Sequence, residues 1–370
     1  MKSSPKILFI LQLPPPVHGS AMVGRYIKDS RLINETFTCR FVNSSLSRSM
    51  NEIGGNPIKK IERYLSILFQ TIKALFVFRP DVCYFAATVK GIGFYKDVPV
   101  IALLKLFRKK IVLHFHNKGV NQAQNRWLDD KLYRFALKNV KVILLSKRLY
   151  VDVEKYVDES DVFICPNGIP DVEWNATFLR QRNNPVPRLL FLSNLLISKG
   201  VYVLLDTLRI LKDKRYSFLC DFVGAETTEI STAQFEETVK QLNLNEIVVY
   251  KGKQYGENKN QIFQQSDIFI FPTFYSNETF GLVNLEAMQQ GLPIVTTDEG
   301  GIPDIVEDGA TGYIVEKQNS EALAERIEKL LNNQQLRVKM GQAGRKKFEE
   351  KYTLNIFEMR IVEIIQQLMK

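Results

Sequence analysis

The sequence is poor in the residues that build disulfide frameworks and metal centres. Its 370 residues hold four cysteines and three histidines. Cys39, Cys83, Cys165 and Cys220 stand far apart, with no CxxC and no metal-ligand spacing. That excludes a stapled secreted scaffold and predicts a reduced, cytoplasmic chain. Long apolar runs are also missing. The longest candidate, Tyr64 to Phe78, is broken by Gln70 and Lys73, short of the roughly 18 apolar residues a membrane span needs. Nothing at the N-terminus reads as a cleaved signal, because Ile7 to Leu11 is too short for an apolar h-region. There is no GxGxxG, which removes the dinucleotide fingerprint. No DxD stands at a predicted strand end, so no metal is expected.

Negative charge is scarce in one half only. Residues 1–185 carry 29 Lys and Arg against 15 Asp and Glu, a net +14, and residues 186–370 carry 21 against 25, a net −4. The halves therefore meet different partners. The basic half is either a solvated surface or a docking face for anionic lipid or an anionic acceptor. Nothing in the pattern points to nucleic acid.

With 45% hydrophobic residues the chain can bury two cores. Strand and helix signals alternate along it. Lys6 to Leu13 reads as a buried strand, followed by a Pro14–Ser20 loop and a helix from Ala21 to Ile27. Pro57 to Phe78 is helical, with Ile61, Leu65, Leu68, Ile72, Leu75 and Phe76 on one face and Lys59, Lys60, Arg63 and Lys73 supplying charge. Such a helix either faces a core or lies on a membrane. A helix over Val98–Phe107 and another over Lys147–Val157 are expected. The strand Ile111 to Phe115 runs into His116-Asn117-Lys118-Gly119. Period-2 alternation puts His114 and His116 on one face, with His116 nearer the ligand edge. A lone histidine is commonly a satisfied core residue, and His114 suits that role better.

Asn175 to Pro187 lacks apolar periodicity and reads as the linker. The grammar then restarts. Arg188 to Leu192 is a strand, and Ser193-Asn194-Leu195-Leu196-Ile197-Ser198-Lys199-Gly200 leads into a helix. Lys199 at a strand–loop–helix junction suits a phosphate. Gly252 follows another strand. The most informative stretch is Phe271 to Pro293, which holds Asn277-Glu278-Thr279-Phe280-Gly281-Leu282 and then Glu286 in a helix. Strand, polar loop and helix N-terminus aim backbone N–H groups at an anion. Glu278 and Glu286 bracket that turn, and carboxylates there suit neutral hydroxyls better than phosphate. Amides for phosphate beside acids for hydroxyls point to a sugar nucleotide.

Taken in order, Asn167-Gly168-Ile169, Lys199-Gly200, the FPT strand end, Glu278 and Glu286 in E-x7-E spacing, and Gly300 to Val306 (GGIPDIV) resemble the retaining GT-B glycosyltransferases of family 4 over nearly the whole chain. The resemblance implies an α/β fold of two doubly wound Rossmann-like domains facing a cleft. Residues 1–182 would bind the acceptor, joined by a returning helix at 354–370, and residues 183–353 would bind the nucleotide sugar. It implies transfer of a hexosyl unit from a nucleoside-diphosphate sugar to a hydroxyl of a glycan or lipid-linked acceptor, with retention and without a metal. Glu278 would hold the donor sugar, Glu286 the ribose, and Phe280, Gly281 and Leu282 the sugar and diphosphate through their amides. Lys199 would neutralise the leaving diphosphate, Gly19 would contact it from the other domain, and His116 would lie near the reacting sugar. Ser193, Asn194 and Gly252 complete the donor set. Family members carry an arginine where this chain reads Asn194, so one diphosphate cation is missing. A catalytically silent GT-B subunit for partner or membrane docking, a same-fold sugar-nucleotide epimerase and a glycan phosphorylase are the alternatives. The expected location is cytoplasmic, with docking at the inner membrane face.

Overall fold

The computed structural model describes residues 4–15, 18–46, 57–172 and 184–370. Most of the expected linker, and Pro16 and Val17 of the first loop, lie outside the described residues. The chain divides into two units, Met1–Gly168 with Leu354–Lys370, and Ile169–Thr353. The division falls at Gly168, upstream of the expected 182/183 boundary. Arg345, itself buried, clamps Asp171 through both guanidinium nitrogens at 2.7 and 2.8 Å, and Ile169 bridges Thr353. Those contacts fasten residues 169–171 to the second unit.

The first unit holds a six-stranded parallel sheet built from β1 (Lys6–Leu11), β2 (Thr38–Asn43), β3 (Val82–Phe85), β4 (Lys110–Phe115), β5 (Lys141–Leu144) and β6 (Val162–Ile164). Its spatial order is β2-β1-β3-β4-β5-β6. Strands buried on both faces read as continuous apolar runs, as in β1, where Ile7 to Leu11 are wholly buried. The order reverses between β1 and β3. In an open α/β sheet that switch point opens a crevice at the strands' carboxyl ends.

The second unit repeats the plan with β7 (Arg188–Leu192), β8 (Leu219–Val223), β9 (Val248–Tyr250), β10 (Ile268–Phe271), β11 (Ile294–Thr297) and β12 (Gly312–Val315), in the order β12-β11-β10-β7-β8-β9. Its switch point lies between β7 and β10, whose register pairs Ile268 with Leu189. The final helix, Leu354–Met369, belongs to the first unit. It buries Phe357, Ile361 and Ile365 completely against the Arg31–Thr36 helix and β3, and Lys110 Nζ donates to Leu368 O at 2.8 Å.

Three elements differ from expectation. The helix expected from Val98 begins at Gly91 and carries Pro99 inside it; its first turns hold glycines, which hide a helix from propensity. The helix expected over Lys147–Val157 is a 3-10 turn, Lys147–Asp152, tightened by Ser146 Oγ accepting from Arg148 N. The Arg31–Thr36 helix, capped by Ser30 Oγ accepting from Ile33 N at 3.2 Å, lacked a readable period.

Candidate functional site

In the second unit the switch point is occupied by the loops that follow β7 and β10. After β7, Ser193 N extends the sheet by donating to Val223 O at 2.9 Å. Asn194 is exposed, and its Oδ1 accepts from Ala225 N at 3.3 Å. Gly252 O accepts from Gly224 N at 2.9 Å, so the ends of β7, β8 and β9 are laced together there. The Ile197–Lys199 turn then closes against the end of β10, where Ser198 O accepts from Phe274 N at 2.8 Å. Gly200 makes this approach possible. Its φ is +84°, and a Cβ there would stand 2.3 Å from Pro272 O; only glycine fits.

The close approach delivers Lys199 to Glu278. Nζ lies 2.5 Å from Oε2, with the side chains 13% and 14% exposed. The Tyr275 ring centroid is 4.5 Å from the same ammonium. Glu278 Oε1 accepts from Gly281 N at 3.0 Å. The Gly281 amide, expected to serve the donor, is thus held by Glu278 in this structure. Gly281 itself caps the Leu282–Gln289 helix in the left-handed region at φ 69°. The first N–H groups of a helix lack intrahelical partners, and those of Leu282 and Val283 occupy that position. Phe280 is 2% exposed and its ring meets Tyr352 edge-on at 6.1 Å, so only its backbone can face a ligand. Behind the turn, Gly301 N donates to Thr279 O at 2.7 Å, which ties the GGIPDIV segment to the motif.

Glu286 stands on the same helix, one carboxylate oxygen 2.7 Å from Lys259 Nζ. Lys259 comes from the Gly256–Gln265 helix. The sequence does not reveal it, because a pair separated by 27 residues leaves no local signal. Each motif acid therefore carries a lysine. Asn284, between them on the helix, is wholly buried, and neither its Oδ1 nor its Nδ2 has a partner among the described residues.

In the first unit the switch point holds a cavity of about 110 Å³ lined by Gln12, Ser20, Ala86, Ala87, Thr88, His116 and Asn117. Gly19 opens the helix after β1, and His18 caps it, Nδ1 accepting from Ala21 N at 3.4 Å. Ser20 Oγ donates to Gln12 Oε1 at 2.9 Å. All three histidines gather at this edge. His114 is fully buried, with Nδ1 hydrogen-bonded to the Tyr84 hydroxyl, and its ring centroid is 4.1 Å from that of His116. Loss of solvation pushes His116 down to about 4, helped by the charge of His18. His114 is pushed well down by the same burial and by His116. Both rings are neutral near pH 7, so His116 presents hydrogen-bonding groups without charge. Among the described residues no cluster of three His, Cys, Asp or Glu could hold a metal ion, and no helix is long and apolar enough to cross a membrane.

The family model for glycosyl transferases group 1 matches residues 174–347, which contain the β7 and β10 loops. The capsular polysaccharide biosynthesis glycosyltransferase CapM of Staphylococcus aureus is 31% identical over 166 residues, 45% of this chain and 42% of that protein. The chain spans less than half the length of this relative and of several other curated relatives. The O-antigen chain mannosyltransferase C of Escherichia coli is 26% identical over 71% of each chain. Among solved structures, HepE of Anabaena in complex with UDP superposes with a TM-score of 0.72 at 16% identity, covering 98% of this chain and all of that one. Residues 174–347 of this chain are thus similar to the group 1 glycosyltransferases, and the chain as a whole has the GT-B fold.

Proposed function

We propose that the protein is a retaining glycosyltransferase that moves a hexosyl unit from a nucleoside-diphosphate sugar to a hydroxyl of a glycan or lipid-linked acceptor. The observation that carries this reading is the pairing of Lys199 with Glu278 at the β7/β10 switch point. An ammonium, a carboxylate and a helix N-terminus converge there, which matches a ligand with an anionic diphosphate and a neutral hydroxylated ring.

Donor binding exchanges partners. Lys199 leaves Glu278 for the diphosphate, and Glu278 is released to accept from sugar hydroxyls. Glu286 accepts from the ribose. In the reaction the donor's C1–O bond breaks and its electron pair stays on the diphosphate oxygen. The acceptor hydroxyl oxygen forms the new bond to C1 from the same face, and its proton passes to the departing phosphate oxygen. Once Glu278 turns to the sugar, Lys199 and the Phe280–Leu282 amides are freed to meet the charge that develops. Gly19 and His116 are proposed contacts to the diphosphate and to the reacting sugar. The reading uses no metal, so EDTA should leave transfer unchanged.

The acceptor reading extends to an anionic membrane surface. On the Pro57–Lys73 helix, Ile58, Ile61, Leu65 and Phe69 form one stripe and are 64%, 58%, 58% and 66% exposed. Ile67 and Thr71 on the opposite side are buried. An outward apolar stripe edged by Lys59 and Lys73 is the pattern of a helix lying in the headgroup region. The decisive experiment is transfer of radiolabelled sugar from UDP-, GDP- and ADP-sugars to a lipid extract. Glu278→Ala that folds but transfers at the wild-type rate would remove the enzymatic reading.

A further inference from the structure

The motif turn holds two carboxylates where an anion must bind, and the structure balances each with an ammonium. Lys199 balances Glu278, but the same lysine is the group proposed to follow the diphosphate. Glu286 is balanced from outside the motif. Lys259 Nζ sits 2.7 Å from Glu286 Oε1, each side chain about a quarter exposed. Among the described residues Lys259 is the one side-chain partner of this carboxylate. Exposed ion pairs add little stability, so the pair matters chiefly for what the carboxylate's charge would do to a ligand.

We infer, resting on the donor-site reading above, that Lys259 is a donor-positioning residue that neutralises Glu286 so that the nucleoside diphosphate can bind beside it. With the donor in place Lys199 serves the diphosphate, and Lys259 remains on its acid. Without it, a bare carboxylate faces the incoming anion in a partly dry site, where like charges repel strongly. Lys259 also takes one oxygen of Glu286 and leaves Oε2 to accept from a ribose hydroxyl. The chain lacks a cation at Asn194, which makes an unopposed negative charge here more costly.

The test uses the whole chain and whichever of UDP, GDP and ADP raises the wild-type melting temperature most, titrated by calorimetry. Lys259→Met should weaken that diphosphate about tenfold at low salt, and raise the donor KM with kcat little changed. Lys259→Arg should stay within about twofold of wild type. The Met variant's deficit should shrink in 0.5 M salt, since screening acts on charge and not on shape. In a Glu286→Gln background, Lys259→Met should cost almost nothing. Wild-type affinity in Lys259→Met, or an equal and salt-independent loss in Met and Arg variants, overturns the inference and leaves the donor site standing. Failure of the wild type to bind any of the three diphosphates overturns both.

Discussion

His114 and His116 are two residues apart on one strand and do different work. His114 is sealed in the core against Tyr84, whereas His116 lines the cavity at the strand end. Both are held neutral, with consequences for stability that can be signed. In the unfolded chain each takes a proton near pH 6.5; in the folded protein His116 does so only near 4, and burial holds His114 well below its ordinary value too. Between those values the unfolded state binds more protons. Stability is therefore intact above about pH 6.5 and drains as pH falls toward 4, by up to about 1.4 kcal/mol per pH unit for each histidine. Denaturant melts at pH 7, 6 and 5 should show the fall, and His116→Gln should make it shallower. Asn284 gives a second residue-scale prediction. Two unpartnered buried polar atoms cost more than an apolar side chain of the same size, so Asn284→Leu should match or exceed the wild-type melting temperature. The place of His116 was legible from strand period alone. The Lys199–Glu278 pair was legible as two separate motif positions, but their contact was not, since it spans 79 residues.

Among the elements, the helix at Pro57–Lys73 shows what period can and cannot tell. The period puts Ile61, Leu65, Leu68, Ile72, Leu75 and Phe76 on one face, but the structure buries Leu75 and exposes Ile61, Leu65 and Phe76, because the helix gives way to a wider turn at Ala74–Phe78. The structure turns Ile67 and Thr71 inward and leaves Ile61 and Leu65 outside. A small buried set suffices because the outer stripe is not the packing face. Ile61→Ser with Phe69→Ser should keep the fold, as exposed positions are tolerant, and should abolish flotation with anionic liposomes. Each basic residue near such a surface contributes roughly 1 kcal/mol, so wild-type flotation should also weaken with salt. Element existence was legible wherever apolar residues kept a clear period. Short helices such as Arg31–Thr36, fixed by one cap, and turns fixed by glycine were not.

For the whole molecule, alternating strands and helices announced two parallel sheets, and the order of strands in each was beyond sequence because register depends on contacts far along the chain. The charge imbalance survives as a prediction about ligands. A nucleoside diphosphate that binds only the native second unit at 100 times its Kd should stabilise it by about 2.7 kcal/mol. Scanning calorimetry should then show the ligand moving one transition, and Lys199→Ala should abolish the shift. Transfer by Lys199→Ala should fall by about 10²–10³, the range for losing one preorganised charge-stabilising group.

The Leu354–Met369 helix also sets the order of assembly. Its partners in the first unit are synthesised before the second unit, and the helix after it. Until then the nascent first unit waits with a gap shaped for Phe357, Ile361 and Ile365, each worth about 1.5–3 kcal/mol on burial. A ribosome-bound chain stopped after residue 353 should remain protease-sensitive in its first 168 residues and sound in its second unit. Supplying residues 354–370 as a separate peptide should restore protection, so that the first unit, though synthesised before the second, is finished after it.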